Sequence, residues 1–483
     1  MKKIICLLMV LCMAFTTAGC FNNASEVKNS KVENESSVIE TEESSADGSL
    51  ASENEDESDT EESKVEEPEK LKETFNQDAT IEKTVMYDEG DVKITATGLS
   101  YSNYDMKLEL MIENNTDKDL EFVSGSMGYS CNSVNGIMTN DGYLLCDVAA
   151  GKKANDSISF DYDQLMLYGI NEIADIEIGF DISDDDYNHI YSGPRQVKTS
   201  IYDSYDYNSN RYQSAITNEA ILNAYEYEMK NFSTSSLYEQ NGVKMLSSGI
   251  MVSADGEKML LIEFENTTDS NIYLRASDIS LNGLRVTDGA WTSEALNAGK
   301  KGILGIELNN VLEQEFADLF GMDEIGSVKF TLMQKDVDGN ELTDEIPMEI
   351  IILDVNCEYD ASGEELYNNN GLRIFLKGLL EDSSEYSKDV NMILLMENSS
   401  GKTLHIDDEY DSLSVNGFMT DYLFFGREIE DGESVLLKLE LQDSSLEEKK
   451  IGSVADIKNI EVSFEIKAER EVIDTPVITM LFE

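Results

Sequence analysis

Histidine is nearly absent from this chain of 483 residues, which holds only His189 and His405. Hydrolases built on a triad or a bound metal lean on a base that titrates near neutrality, most often His. These two stand at unrelated places, with no His-Glu-x-x-His, phosphate-binding glycine loop or Cys-x-x-Cys anywhere. Basic residues are scarce too: 36 Lys and Arg face 97 Asp and Glu, a net charge of −61. A nucleic-acid partner needs cations to replace its counterions, so this balance argues against one, and against docking on anionic lipid. There is one Trp, which argues mildly against a sugar-processing cleft. No metal site and no cofactor is expected. Long apolar runs are missing as well. None after the first twenty residues approaches the ~18 needed to cross a bilayer.

What the chain does have begins at Met1-Lys2-Lys3, followed by an uncharged apolar run over 4–15 and the small residues Thr16-Thr17-Ala18-Gly19-Cys20. A basic start, a short apolar run and a small-residue end mark a secretory signal. Ala18-Gly19-Cys20 resembles the lipobox of bacterial lipoproteins, with Thr17 where that family usually has Leu. The resemblance implies a diacylglyceryl group on the Cys20 thiol and cleavage before it. Each buried CH₂ contributes ~0.8 kcal/mol, so two acyl chains hold stably. The expected location is the outer face of the cytoplasmic membrane, with that lipid as the membrane contact.

Residues 21–80 are Ser, Glu, Asp, Asn and Thr with hardly an aromatic; Ser52-Glu53-Asn54-Glu55-Asp56-Glu57 is typical. Such a stretch cannot bury enough apolar surface to offset chain entropy and is expected to be disordered. Like charges extend it. At ~3.3 Å per residue its limit is roughly 190 Å. It reads as a stalk.

Beyond residue 80 one order of landmarks occurs three times. Strand-like runs end in Asn114-Asn115-Thr116, Asn266-Thr267-Thr268 and Asn398-Ser399-Ser400. Then come Val134-Asn135-Gly136, Leu281-Asn282-Gly283 and Val415-Asn416-Gly417, followed by Ala150-Gly151-Lys152-Lys153, Ala298-Gly299-Lys300-Lys301 and Asp431-Gly432-Glu433. Three of the four prolines (Pro194, Pro347 and Pro476) stand before the last apolar run of each repeat. Pro is tolerated at a strand's first residue or on a sheet edge, so the last strand is expected to begin there. Period-two runs such as Leu108-Glu109-Leu110 suit half-buried strands. Asn-Gly predicts tight turns, because both residues accept positive φ. Asn also closes turns by bonding nearby backbone, which already accounts for the three Asn-x-Ser/Thr sequons. Short helices are predicted at 164–168, 312–319, 446–450 and 218–230.

About seven short strands in roughly 120 residues indicate a β-sandwich. The expectation is an all-β chain of three tandem antiparallel immunoglobulin-like β-sandwich modules after a signal peptide and a disordered acidic linker. The boundaries are 1–20 signal, 21–80 tether, 81–203 first module, 204–236 a Tyr/Asn-rich linker with a short helix, 237–354 second module, 355–366 linker and 367–483 third module. With these landmarks the chain resembles the immunoglobulin-like domains, many of unknown function, that recur in lipoproteins of Gram-positive bacteria. The resemblance implies architecture and says nothing of activity.

Few residues suggest chemistry. Cys131 and Cys146 flank one Val-Asn-Gly turn and form a candidate disulfide, which the extracellular setting permits. Trp291 follows Asn282-Gly283, with Tyr143 and Tyr422 at similar places, and the choice there lies between core packing and a ligand platform. Tyr202, Tyr205, Tyr207 and Tyr212 stand among Asp and Asn in the linker, as candidate contacts for a glycan or a protein or as solvated linker. Asp184-Asp185-Asp186 and 336–340 are Ca²⁺-like, but the second lacks the EF-hand register and both suit hairpin turns. The expected role is non-enzymatic binding, adhesion or structure at the envelope, toward cell-wall glycan or a surface protein. The alternatives are a lipoprotein enzyme cutting wall glycan with carboxylates, and an accessory or sensor subunit of a membrane complex.

Overall fold

A computed structural model describes residues 75–124, 132–139, 141–286, 291–312, 314–352, 357–381 and 388–482. The predicted signal, Cys20, most of the tether and Cys131 lie outside the described residues.

The fold is all-β. In the first repeat, Thr84–Glu89, Val92–Tyr101, Asp105–Asn114 and Lys152–Asp161 form one antiparallel sheet in that order. A second sheet runs His189–Tyr191, Asp181–Asp184, Leu120–Ser124, Leu144–Val148. The later repeats build the first of these sheets from equivalent strands. Tyr227–Ser233, Val243–Ser253, Lys258–Asn266 and Lys301–Glu307 form it in the second repeat. Glu364–Asn369, Leu372–Glu381, Val390–Asn398 and Ser434–Leu441 form it in the third. The register slips at the same place in the first and third repeats, at Ala96/Gly98 and Leu376/Gly378, and two residues earlier in the second, at Met245/Ser247. Such a bulge bends the strand and increases its local twist.

The pleat sends alternate side chains inward. Ile94, Leu108, Ile112, Ile158, Phe160 and Phe180 are fully buried in the first repeat, and separate apolar clusters fill the other two. Each such side chain contributes about 1.5–3 kcal/mol by leaving water.

The turns are satisfied in one way three times over. Asn114, Asn266 and Asn398 are buried, and each amide donates to the carbonyl four residues on and to a facing strand. Those second acceptors are the carbonyls of Val148 (2.8 Å), Leu296 (3.0 Å) and Ile429 (2.8 Å). The Asn carbonyl oxygen receives the N–H of Thr116, Thr268 or Ser400. At the Asn-Gly turns both residues have positive φ in every repeat, 50° and 80° at Asn135 and Gly136. The three prolines precede or enter edge strands at Arg195–Lys198, Ile346–Ile351 and Val477–Leu481, as expected.

The segment 204–236 departs from the reading of a linker with one short helix. Two helices form, Arg211–Ile216 and Glu219–Ala224, and Tyr227–Ser233 pairs with Val243–Ser253 as a strand of the second repeat. Tyr212, Ile216 and Leu222 are buried in the first repeat's cluster, so apolar docking overrides the local polarity. The other predicted helices appear at Tyr162–Leu167, at Leu308–Val311 with Gln314–Leu319, and at Asp443–Glu448.

Successive repeats are joined by strand pairing. The turn strand Ile137–Met138 of the first repeat lies parallel beside Lys301–Glu307, with Ile137 opposite Lys301. The Lys301 N–H donates to the Gly136 carbonyl at 2.9 Å. Leu284–Arg285 of the second repeat lies parallel beside Ser434–Leu441, with Leu284 opposite Ser434. These are one register, since Lys301 and Ser434 face Glu265 and Glu397, the residues just before each buried Asn.

Candidate binding surfaces

Tyr202, Tyr205 and Tyr207 come together. The rings of Tyr205 and Tyr207 meet edge to face at 4.8 Å, and Tyr202 lies 5.8 Å from Tyr207. Cations cover the group: Lys198 Nζ is 3.9 Å from the Tyr202 ring centre, and the Arg211 guanidinium is 4.6 Å from that of Tyr205. Tyr207 donates from its hydroxyl to Asp175 at 2.9 Å, and its ring lies against Gly136, where a Cβ would sit 3.6 Å from it. Burial, then the Asp175 charge, pushes the Tyr207 phenol up; burial chiefly raises that of Tyr205. The group therefore buttresses the Asn135-Gly136 turn at the first joint. Tyr212 is separate from it and buried.

Trp291 is 38% exposed at the head of the strand Thr292–Leu296, with the Arg275 guanidinium 4.9 Å from its ring. Tyr143, at the matching place, is 53% exposed. Tyr422 is held by its hydroxyl on Asp408. The aromatic position thus faces outward in the first two repeats, so core packing does not account for it there. Trp291 with Arg275 is a planar apolar surface beside a cation.

Cys146 is a buried free thiol, its pKa pushed up to about 11 chiefly by burial. Its proposed disulfide partner Cys131 lies outside the described residues.

The Ca²⁺-like runs are turns. Asp184 accepts from the backbone of Asp186 and Asn188 and pairs with Lys118 at 2.5 Å. Asp336 accepts from the backbone of Asp338 and Asn340. Among the described residues no group of three or more His, Cys, Asp or Glu is arranged to hold a metal ion.

The two histidines mark clefts at the same part of the fold. One of about 650 Å³ on the first repeat is acidic, lined by Asp119, Glu121, Asp147, Asp185 and His189. One of about 730 Å³ on the third is of mixed charge, lined by Lys402, His405, Glu428, Lys467, Glu469 and Arg470. His189 Nδ1 lies 2.9 Å from Asp181, and His405 Nε2 lies 3.8 Å from Asp407. Ser183 stands opposite His189 in the strand ladder.

Carboxylates gather at the end of the strand Lys152–Asp161. Burial chiefly raises Asp161, to about 6, and raises Asp141, while the hydroxyls of Ser102 and Ser159 hold Asp105 low against its own burial. Asp141 accepts the Asp161 N–H at 2.7 Å, and Asp161 caps the helix Tyr162–Leu167 through the Asp163 N–H.

No family model matches the chain, and no curated protein matches it. Among solved structures, a protein of unknown function from Porphyromonas gingivalis is similar at 12% identity and TM-score 0.15, over 53% of this chain and 100% of that one. Red sea bream transglutaminase gives 8% and 0.14, over 63% and 37%. An Amycolatopsis orientalis exo-chitosanase gives 7% and 0.16, over 83% and 78%. Likenesses at these scores carry no argument about this chain.

Proposed function

We propose that the chain is a lipoprotein anchored through Cys20 to the outer face of the cytoplasmic membrane. There, three immunoglobulin-like modules on an acidic tether serve a non-enzymatic binding or structural role. One observation carries the reading: the residues that imitate functional motifs are already spent on turns and joints. The sequon asparagines close strand ends, the acidic runs cap their own backbones, and the linker tyrosines brace a joint. The exposed Trp291 beside Arg275 is the surface best suited to a glycan or a protein.

The test has two arms. Expression in a lipoprotein-processing bacterium with labelled fatty acid should label the chain and hold it on membranes, and Cys20→Ala should release it unlabelled. Purified chain, with and without Ca²⁺, is then offered to cell walls and a polysaccharide panel. Saturable binding weakened by Trp291→Ala supports a glycan receptor. A membrane-bound Cys20→Ala chain would sink the anchor, and no binding under any condition would leave a protein partner or a spacer.

A second reading is favoured by the unequal carboxylates Asp161 and Asp105, since groups whose environments push their pKa values apart suit acid and base roles. Turnover of wall fragments that Asp161→Asn abolishes would establish it over the first.

A further inference from the structure

Both joints insert a turn strand of one repeat against the edge strand of the next, so the series leaves one half-joint over at each end. At the C-terminal end the turn of the third repeat is bare. Phe418 and Met419 are 52% and 56% exposed, whereas Ile137, Met138 and Leu284 at equivalent places are 8%, 3% and 0% exposed. At the N-terminal end Lys152–Asp161 closes its sheet with no further strand among the described residues. Lys153 faces Glu113 in the ladder as Lys301 faces Glu265. The alternation of an antiparallel ladder then turns the Lys153 N–H outward, as it turns that of Lys301 toward Gly136.

The leftover halves carry the key of the first joint. Val134-Asn135-Gly136-Ile137-Met138-Thr139 sits on Ala298-Gly299-Lys300-Lys301 there. The free ends offer Val415-Asn416-Gly417-Phe418-Met419-Thr420 and Ala150-Gly151-Lys152-Lys153. The charges repeat as well. At the first joint Lys300 pairs with Glu177, which faces Ser133. At the free end Glu461 faces Ser414 in the same register, and Lys152 stands where Lys300 does. The second joint reverses the signs, with Arg285 on the turn strand and Glu433 just before the edge strand, so the free ends match the first joint and not the second.

We infer that the chain associates head to tail with a second copy of itself, the Phe418–Met419 turn strand pairing with the free edge of Lys152–Asp161. The contact is heterologous and does not close on itself, so it generates an open series. It is also small. Asn155 and Glu109 on the first repeat replace the apolar Ile303 and Leu436, Leu261 and Ile393 that the later repeats bury at their joints. Interfaces of that size are weak and reversible. The inference goes beyond the anchored binding role and does not depend on the lipid or on a glycan, so either can fail alone.

Sedimentation equilibrium of the full chain in density-matched detergent tests it. The mean mass should rise with concentration past the dimer. Phe418→Asp destroys the turn half, and Lys153→Pro removes the outward N–H of the edge half together with the Lys153–Glu113 ion pair, a substitution that an edge strand tolerates. Each variant alone should stay monomeric, while an equimolar mixture should form dimers and nothing larger, which also shows that both variants fold. A monomeric wild type at every concentration would overturn the inference. So would association that both variants retain, or that Phe418→Asp alone abolishes, since that points to turns packing on each other.

Discussion

Arg285 of the second repeat holds Glu433 of the third in an ion pair whose Nε–Oε1 distance is 2.9 Å, with both side chains mostly buried. At the first joint Lys300, which stands where Glu433 does, pairs instead with Glu177 of a neighbouring strand. Burial raises the Glu433 carboxyl by more than the Glu430 N–H and the Arg285 charge lower it, so the pair is set against its own desolvation. Breaking one partner should therefore cost more than the pair is worth. Arg285→Ala is expected to destabilise the contact by about 1–3 kcal/mol and to split the calorimetric transition. The exchange Arg285→Glu with Glu433→Arg should recover part of the loss, and a double-mutant cycle gives the coupling.

Asn266→Ala removes two donated bonds and strands the Leu296 carbonyl in the core. The expected loss is about 2–4 kcal/mol, read as a lower thermal midpoint, while Thr267→Ala nearby should shift it far less. Asn114→Ala and Asn398→Ala should behave alike, because their bonding is the same.

Burial pushes the Glu294 carboxyl up to about 8. The unfolded chain ionises this group near its ordinary value, so the folded state binds the extra proton between the two. Stability from this site is accordingly intact below about 4.5 and falls as pH rises toward about 8. Glu294→Gln should raise stability at neutral pH by about 1–3 kcal/mol and flatten that slope, as denaturant melts across the range would show.

Gly169 has φ +73°, and a Cβ there would stand 2.4 Å from the Arg211 carbonyl oxygen. Neither atom can move without lifting the helix Arg211–Ile216. Gly169→Ala is expected to cost about 2–4 kcal/mol and to speed amide exchange in 211–224 before the rest of the chain.

The landmarks that announced the repeat are the residues that hold it. Asn-Gly and the Asn triplets act over a few residues, so local chemistry suffices to read them. The joints act between residues 137 and 301 or 284 and 434, and no local rule reaches that far. A trace of them was present all the same. Lys152–Asp161 reads KKANDSISFD, whereas the equivalent strands contain Ile303-Leu304 and Val435-Leu436-Leu437, unbroken apolar runs that suit burial on both faces. The strand Tyr227–Ser233 overlaps the end of the helix predicted over 218–230, because its pairing partner Val243–Ser253 lies some twenty residues on, beyond the reach of a local rule. Trp291 and the Tyr cluster were visible as residue types, but only the fold separates the exposed ring from the bracing ones.

The joints also have a mechanical meaning. Inside a repeat the paired strands match over nine or ten residues, as between Val92–Tyr101 and Asp105–Asn114 or between Asp105–Asn114 and Lys152–Asp161, whereas the turn strand and edge strand match over one or two. A pull along the chain meets its weakest resistance between repeats. Under tension the chain should lengthen in discrete steps, each releasing one connecting segment while every sandwich stays folded, and it should shorten again when the load is removed.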